Sequence, residues 1–206
     1  MAIRNRVGPD AEITAHPGRG LFMGNRGILH DAQGRLRRPY AGKAWICCVL
    51  SFRNRRPPDP LVKPGTYTRL FFLDEAVALA AGHRPCAEYR RADYNRFRAA
   101  WSAAGLSADT RVPAIDGCLH EARTEAGTRR KRVIEARISS LPDGAFLTGE
   151  NGACLKWKGS LWPFSPAGYG AALPCPTKGT VRVLTPAPML AVLRAGYAPV
   201  IHPSAG

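Results

Sequence analysis

The six cysteines are the side chains with the most varied chemistry in this 206-residue sequence. A chain of this length can bury an apolar core without disulfide crosslinks, so we expect reduced thiols or metal ligands. No two cysteines are spaced as CxxC, a common spacing of zinc ligands. Cys47 and Cys48 are adjacent, and adjacent residues of a strand face opposite sides, so the pair supplies at most one ligand to a shared site.

Asp116 and His120 are four positions apart in a segment with helical periodicity. This spacing places both side chains on one face of a helix, where a carboxylate can orient an imidazole for general-base catalysis or metal-assisted hydrolysis. The same spacing is typical of a solvated pair on an amphipathic helix. The two residues are therefore weak catalytic candidates. No Walker loop, GxSxG motif or GxGxxG after a strand indicates another class of enzyme.

Basic residues outnumber acidic ones, with 30 lysines and arginines against 15 aspartates and glutamates and a formal net charge of +15. Arginine supplies most of the surplus, in clusters at 35–38, 53–56 and 129–132. Guanidinium groups bind phosphate oxygens in pairs, and a large positive field attracts polyanions. This predicts a nucleic acid, with DNA favoured, as the partner. The alternative is that these arginines lie on ordinary solvated faces.

Three groups of residues are candidates for contact with the nucleic acid. A proline-rich loop at 55–60 should present arginines to solvent. Further arginines follow a helix end and begin the next helix, whose N-terminal amide groups attract anions. An aromatic ring between lysines at 156–158 can stack on an unpaired base, or it can pack in the core. The candidates are Arg53, Arg55, Arg56, Arg84, Arg90, Arg91 and Trp157.

Periodicity and turn residues predict an α+β fold. Asp74 is expected to cap a helix and Gly82 to end it. After residue 140 the sequence changes to short strands and turns, followed by a helix that Pro186 begins. We therefore predict a unit at 1–140, built of short strands packed on two or three helices, and a small β-rich unit at 141–206 with a C-terminal helix. Strands are expected at 20–24, 44–52 and 67–72, and helices at 75–81, 88–104 and 112–126.

The segment at 67–93 resembles the zinc-binding domain of the Ada-type proteins, which repair methyl phosphotriesters in DNA. The resemblance rests on a strand that ends in Phe-Phe, the helical sequence at 75–81, and the sequence Gly-His-Arg-Pro-Cys at 82–86. It implies a zinc ligand at Cys86. Tyr89 occupies the position of the next ligand, and the upstream cysteine pair of the family has no counterpart at its usual spacing. Transfer of a methyl group to cysteine is therefore not expected.

A second, shorter resemblance to the same group of proteins is a Gly-Asn element that leads to His30. Together the two resemblances imply a zinc site formed by Cys86, His30 and one of Cys47 or Cys48. Three ligands are typical of an open catalytic site, and four are typical of a structural site. Tyr89 either lines this site or marks its loss, in which case the fold persists without metal.

These observations predict a nucleic-acid-binding protein, linked to DNA repair by the resemblance, that contacts phosphates through arginine. Two alternatives stay open: a metal-dependent hydrolase or transferase acting on nucleic acid, and a structural or partner-binding protein with an incidental basic surface. The sequence has no apolar run long enough to cross a bilayer, and it begins without the apolar core of a signal peptide. We therefore expect no membrane partner and a cytoplasmic location.

Overall fold

The computed structural model describes residues 3–51, 65–150 and 152–206. Within these ranges the chain forms two β-sheets and four α-helices, which confirms the predicted α+β class. No helix in the described ranges has the length and apolar surface needed to cross a bilayer. The helices are α1 (Glu75–Ala80), α2 (Arg91–Ala103), α3 (Val112–Arg123) and α4 (Ala187–Arg194).

The first sheet consists, in the described part of the chain, of β1 (Arg6–Val7), β2 (Ile13–Thr14), β3 (Phe22–Asn25), β4 (Ile46–Val49), β5 (Leu70–Phe72) and β6 (Arg84–Pro85). The strand order is β2-β1-β5-β3-β4-β6. Neighbouring strands pair antiparallel, except that β1 with β5 and β4 with β6 are parallel. The predicted strands at 20–24, 44–52 and 67–72 correspond to β3, β4 and β5. The edge strand β6 has no sequence signal of its own, because it is only two residues long.

Every residue of α1 is buried, and both of its ends follow from the sequence. Asp74 Oδ1 accepts a hydrogen bond from the Val77 N–H at 2.9 Å, which caps the first turn as predicted. Gly82 follows the helix at φ +93°, a conformation that favours glycine. A Cβ atom at Gly82 would also lie 2.5 Å from the Arg123 side chain. The glycine therefore ends α1 and leaves room for an arginine of α3.

The other three helices pack on one another around a shared apolar cluster. Phe97 and Trp101 of α2 are buried at the spacing that the sequence predicts. They meet Ile115 and Leu119 of α3 and Met189 of α4. Because α4 comes from the C-terminal part of the chain, this cluster joins residues from both sides of position 140.

The second sheet consists, among the described residues, of β7 (Ile134–Arg137), β8 (Phe146–Gly149), β9 (Gly152–Trp157), β10 (Ser160–Ser165), β11 (Gly168–Tyr169), β12 (Leu173–Pro174) and β13 (Thr180–Val183). All its pairings are antiparallel. Strand β7 begins ahead of the boundary predicted near residue 140. Phe146 and Leu155 of this sheet pack in one cluster with Leu70 and Ala78. The predicted units at 1–140 and 141–206 therefore share a core.

The carboxylate of Asp74 joins α1 to the C-terminal part of the chain. Its Oδ2 accepts hydrogen bonds from the Tyr169 hydroxyl at 2.7 Å and from the His202 N–H at 3.0 Å. Asp74 is fully buried, and burial raises the pKa of its carboxyl group above the usual value. The hydrogen bonds act in the opposite direction, because they stabilise the charged carboxylate and so lower its pKa.

The neighbouring carboxylate of Glu75 is also fully buried and makes a second set of long-range contacts. Its Oε1 accepts from Arg90 Nη2 at 2.7 Å and from the Tyr197 hydroxyl at 2.6 Å. Its Oε2 accepts from the Val200 N–H at 3.0 Å. The start of α1 is thus bound both to the start of α2 and to the segment after α4.

We expect Glu75→Ala to lower the free energy of unfolding by about 3 kcal/mol or more, because it removes the buried partner of the Arg90 guanidinium. Urea unfolding measures the change. Glu121→Ala removes an exposed carboxylate from α3 and serves as the control. Its effect should stay within about 0.5 kcal/mol. Losses of similar size in the two variants would contradict the role given to Glu75.

Candidate nucleic-acid interface

Two of the three arginine clusters meet at one surface, around Tyr40. The Arg129 guanidinium lies over the Tyr40 ring, 5.5 Å from its centroid, and Arg129 Nη1 donates to the Tyr40 carbonyl at 3.5 Å. Arg37 and Arg38 precede Tyr40 closely in the chain, and Lys43 follows it. All four cations are exposed. We refer to Arg37, Arg38, Lys43 and Arg129 as the cationic face.

The loop after α3 folds back on the helix, which brings Arg129 to Tyr40. Thr124 Oγ1 donates to the His120 carbonyl at 2.6 Å where α3 ends. Thr124 and Lys131 then pair as an antiparallel bridge across the loop. The position of the cationic face therefore depends on the end of α3.

No carboxylate in the described ranges forms a salt bridge with the cationic face. Elsewhere on the surface, Arg35, Arg96, Arg111 and Lys156 each pair with an aspartate. The charge of the cationic face is thus available to a ligand, whereas that of the paired residues is partly neutralised.

Below the cationic face, two buried arginines contact the ring of Trp45. The guanidinium carbons of Arg26 and Arg123 lie 4.0 Å and 4.1 Å from its centroid. Each arginine is only 1% exposed. The Tyr40 ring also packs on Trp45, with centroids 5.3 Å apart, so Trp45 connects this buried arginine pair to the surface. A desolvated cation–π contact contributes about 2 kcal/mol.

The buried arginine pair donates to uncharged groups, so its hydrogen bonds bring no neutralising charge. Arg26 Nε donates to His83 Nε2 at 3.1 Å. The remaining bonds of Arg26 and Arg123 within the described ranges end on main-chain oxygens. These are the carbonyls of Ala11, Pro39, Gly82 and Lys43.

Three buried nitrogen atoms in this cluster have no hydrogen-bond partner among the described residues: Arg26 Nη2, Arg123 Nε and His83 Nδ1. Because His83 Nε2 accepts from Arg26, the hydrogen of the neutral ring must be on Nδ1. Burial keeps the ring neutral, since it lowers the pKa of His83 well below the usual value. All three atoms therefore carry unused N–H donors, which an anion would satisfy.

Burial lowers the pKa of each cation in this cluster. Desolvation and the charge of Arg123 lower the pKa of Arg26 to about 9. Desolvation likewise lowers the pKa of Arg123 to about 9. Lys131 Nζ donates to the Ala80 carbonyl at 2.6 Å, and desolvation with the charge of Arg26 lowers its pKa to about 7. A negative ligand nearby would raise all three values.

Arg84 and Arg90, two of the predicted phosphate contacts, form ion pairs inside the fold. Arg84 Nε and Nη2 donate to the two oxygens of Asp116 at 2.8 Å and 2.9 Å. Arg90 pairs with the buried Glu75 and with Asp93. Neither guanidinium is available to a phosphate in this structure, because its removal would leave a buried carboxylate without its counter-ion. The sequence placed these arginines at the surface because helix ends usually lie there.

The other residues predicted to contact nucleic acid differ in exposure. Arg91 is exposed at the start of α2. Trp157 is half-buried against the main core cluster, and its carbonyl accepts from Trp162 Nε1 at 3.2 Å. Lys158 Nζ lies 6.0 Å from the centroid of the Trp157 ring. This packing favours the core role of Trp157 over base stacking. Arg53, Arg55 and Arg56 lie outside the described residues.

Asp116 and His120 do not form the carboxylate–imidazole pair that their spacing suggests. Both Asp116 oxygens bind Arg84. The His120 ring packs edge-on against Tyr40, with centroids 5.4 Å apart, and burial and the charge of Arg123 lower its pKa. His120 therefore belongs to the surroundings of the cationic face.

His30, the predicted imidazole ligand of zinc, has other partners. Its Nδ1 is 3.1 Å from Thr68 Oγ1, and its Nε2 is 3.0 Å from the Arg4 carbonyl. A carbonyl can only accept, so Nε2 carries the hydrogen and Nδ1 accepts from the threonine hydroxyl. Neither ring nitrogen is left for a metal ion.

The predicted thiol ligands do lie close together, at the edge formed by β4 and β6. Cys48 and Cys86 interact through their thiol groups, and this interaction, together with amide N–H groups near the sulfur, lowers the pKa of Cys86. Cys47 Sγ instead accepts from Arg90 Nη1 at 3.4 Å in the core. Tyr89 is 43% exposed, and its N–H donates to Cys86 Sγ at 3.4 Å.

Zinc is not supported by the side chains that the structure assembles at this edge. In the described ranges, no group of three or more histidine, cysteine or acidic side chains is arranged to hold a metal ion. Cys48 and Cys86 alone offer two sulfur ligands, whereas zinc takes at least three protein ligands in the usual sites. The residues present therefore do not fit the implied zinc site.

The sequence did not indicate the buried arginine pair or Trp45 as functional residues. Arg26 is isolated between Asn25 and Gly27, and Arg123 ends an amphipathic helix, so both are typical of exposed positions. Trp45 begins an apolar strand segment, which is typical of the core. The one available signal was Gly82, since a helix-ending glycine can also mark the close approach of another side chain.

Comparisons of the chain with protein-family models, with curated proteins and with solved structures gave no match.

We expect Lys131→Met to reduce the pH dependence of stability. The pKa of Lys131 is about 7 in the fold against 10.5 for an ordinary lysine, so between these values the unfolded chain binds more protons than the folded one. The free energy of unfolding should therefore rise with pH above 7, by up to about 1.4 kcal/mol per pH unit from this residue.

Urea unfolding of the wild type and the variant over this pH range measures the two slopes. Lys178→Met, which removes an exposed lysine, should keep the wild-type slope. Identical slopes for Lys131→Met and the wild type would show that Lys131 is not desolvated.

Proposed function

We propose that the protein binds nucleic acid, with DNA as the favoured class, through the cationic face. The observation that carries the proposal is the meeting of two distant basic segments around Tyr40, where no described carboxylate forms a salt bridge with any of the four cations of the cationic face. Cations on such a surface neutralise phosphate charges and release condensed counterions. This release supplies most of the affinity in binding that is independent of sequence.

The buried arginine pair supports the same function from beneath the surface. Arg26 and Arg123 are fixed by Trp45 and by main-chain carbonyls, so their charges do not need to be ordered when a ligand arrives. Desolvation by burial lowers the pKa of both arginines, and the charge of Arg123 lowers the pKa of Arg26 further by repulsion. A polyanion at the cationic face would relieve this repulsion, which is how a preorganised field gains affinity.

Tyr40 gives the face an aromatic component beside its guanidinium groups. Its ring is half-buried and contacts Trp45, His120 and Arg129. Rings next to cations can stack on unpaired bases, and stacking contributes about 1–3 kcal/mol per base. Phosphate contacts fix position but do not read bases, so the proposed binding has little sequence preference. The connection to DNA repair rests on the Ada-type resemblance at 67–93 alone.

The double variant Arg38→Ala/Arg129→Ala tests this proposal. Loss of two phosphate contacts should reduce the slope of log affinity against log salt by about 1.8 on duplex DNA and weaken binding at low salt. Fluorescence anisotropy with a labelled oligonucleotide, measured over a series of salt concentrations, gives both quantities.

Arg98→Ala/Arg194→Ala is the matched control, because it removes the same charge from exposed arginines that bind Thr110 and the Ser140 carbonyl. Its salt slope should equal that of the wild type. Equal losses in the two double variants would mean that net charge, and not the cationic face, attracts the DNA. Wild-type affinity that is insensitive to salt would overturn the proposal.

A further inference from the structure

Cys48 and Cys86 occupy matching positions on two neighbouring strands. The parallel pairing of β4 with β6 places Cys47 beside Pro85, and the Cys86 N–H donates to the Cys47 carbonyl at 2.8 Å. The pairing thus continues by one residue and brings Cys48 next to Cys86. Neighbouring strands are about 4.8 Å apart. Disulfides need Cα atoms roughly 4.4–6.8 Å apart, so this separation suits a bond between the two residues.

The two thiol side chains lie on the same face of this strand pairing and interact with one another. The Cys86 sulfur also accepts a hydrogen bond from the Tyr89 N–H at 3.4 Å. An N–H donor stabilises negative charge on the sulfur that it contacts, so Cys86 is the more nucleophilic of the two. Their roles in a reaction are therefore different: Cys86 is the nucleophile, and Cys48 is the thiol that can follow it.

Solvent reaches this pair from the side of the turn before α2. Cys48 is half-buried, and Glu88 and Tyr89 in the turn are exposed. Cys86 is 7% exposed, which admits a small oxidant but not a protein. Cys47, in contrast, is fully buried and bound to Arg90, so it is a structural thiol.

We propose that Cys48 and Cys86 are a peroxide-reactive thiol pair that closes to a reversible disulfide. This goes beyond nucleic-acid binding, and it does not depend on that function. The oxidant is hydrogen peroxide or a small organic hydroperoxide, and the reductant that reopens the pair is a low-molecular-weight dithiol.

The reaction takes place in two balanced steps. The Cys86 thiolate attacks the terminal oxygen of the hydroperoxide, so an S–O bond forms, the O–O bond breaks, and the alcohol or water leaves after taking up a proton. Cys86 is thereby oxidised by two electrons to a sulfenic acid. The Cys48 sulfur then attacks the Cys86 sulfur, so an S–S bond forms and the S–O bond breaks. Water leaves with the Cys48 proton.

Peptide mapping of the full-length protein tests the proposal. After treatment with one equivalent of hydrogen peroxide, followed by alkylation of the remaining thiols and digestion without reductant, we expect a crosslinked peptide that contains Cys48 and Cys86. Its mass should be two hydrogens below the sum of the separate peptides, and dithiothreitol should separate them. Fragmentation between Cys47 and Cys48 identifies the sulfur that is bonded.

Two variants separate the roles of the sulfur atoms. Cys48→Ser should leave the Cys86 sulfenic acid uncondensed, so that dimedone labels Cys86 several-fold more than in the wild type. Cys86→Ser should abolish both the crosslink and the label. Cys175→Ser removes a half-buried thiol of the other sheet and should leave both unchanged.

Three results would overturn the proposal. These are alkylation of Cys48 and Cys86 as free thiols after peroxide treatment, a disulfide that joins other cysteines, and peroxide oxidation of Cys86 no faster than that of Cys175. None of these readouts involves nucleic acid, so failure here and failure of the proposed DNA binding are distinguishable.

Discussion

The carboxylates of Asp74 and Glu75 are buried side by side at the start of α1, and other parts of the chain supply most of the donors that stabilise them. Asp74 needs Tyr169 and the main chain at His202, and Glu75 needs Arg90 and Tyr197. A buried carboxylate that lost these donors would be strongly destabilising. The fold therefore requires α1, α2 and the C-terminal segment to assemble together, and this assembly fixes the position of α1. The end at Gly82 in turn places His83 and Arg84 beside α3 and positions Cys86 on the sheet edge.

Burial of carboxylates in the core also leaves fewer negative charges on the surface. Asp74, Glu75 and Asp116 are buried, in a protein that has only 15 acidic residues. Two arginines enter the interior with them as counter-ions, but Arg26 and Arg123 enter without any carboxylate at salt-bridge distance in the described ranges. A cation buried on an aromatic ring and on carbonyl oxygens is held in place but not neutralised. The positive potential around Tyr40 thus comes from below the surface as well as from the exposed arginines.

The elements that the sequence predicted are those with strong local signals. The cap at Asp74, the stop at Gly82 and the apolar face of α2 follow from neighbouring residues, and each is confirmed. Strands of two residues have no periodicity to detect, and β6 exists only through its pairing with β4.

The residues of the candidate site were harder to predict. Arg84 was expected at the surface because its partner Asp116 is 32 positions away, and a charged side chain is expected to be exposed when its counter-ion is not known. The contact between Arg26, Arg123 and Trp45 depends on three separate segments, so no local pattern could reveal it. The contact between Cys48 and Cys86 is an intermediate case, since the two resemblances together drew attention to both residues but suggested a metal ion between them.

The two hydrogen bonds of Asp74 to the C-terminal part of the chain also set how folding must proceed. They join residues 95 and 128 positions apart, and Ala205 lies in the same apolar cluster as Val7. Such contacts give a high contact order, because the entropy of closing very long loops must be lost before the native hydrogen bonds form. During synthesis, the core of the first sheet stays incomplete until residues near 205 have left the ribosome. The apolar strands made first therefore stay unprotected until the residues near 205 can pack on them.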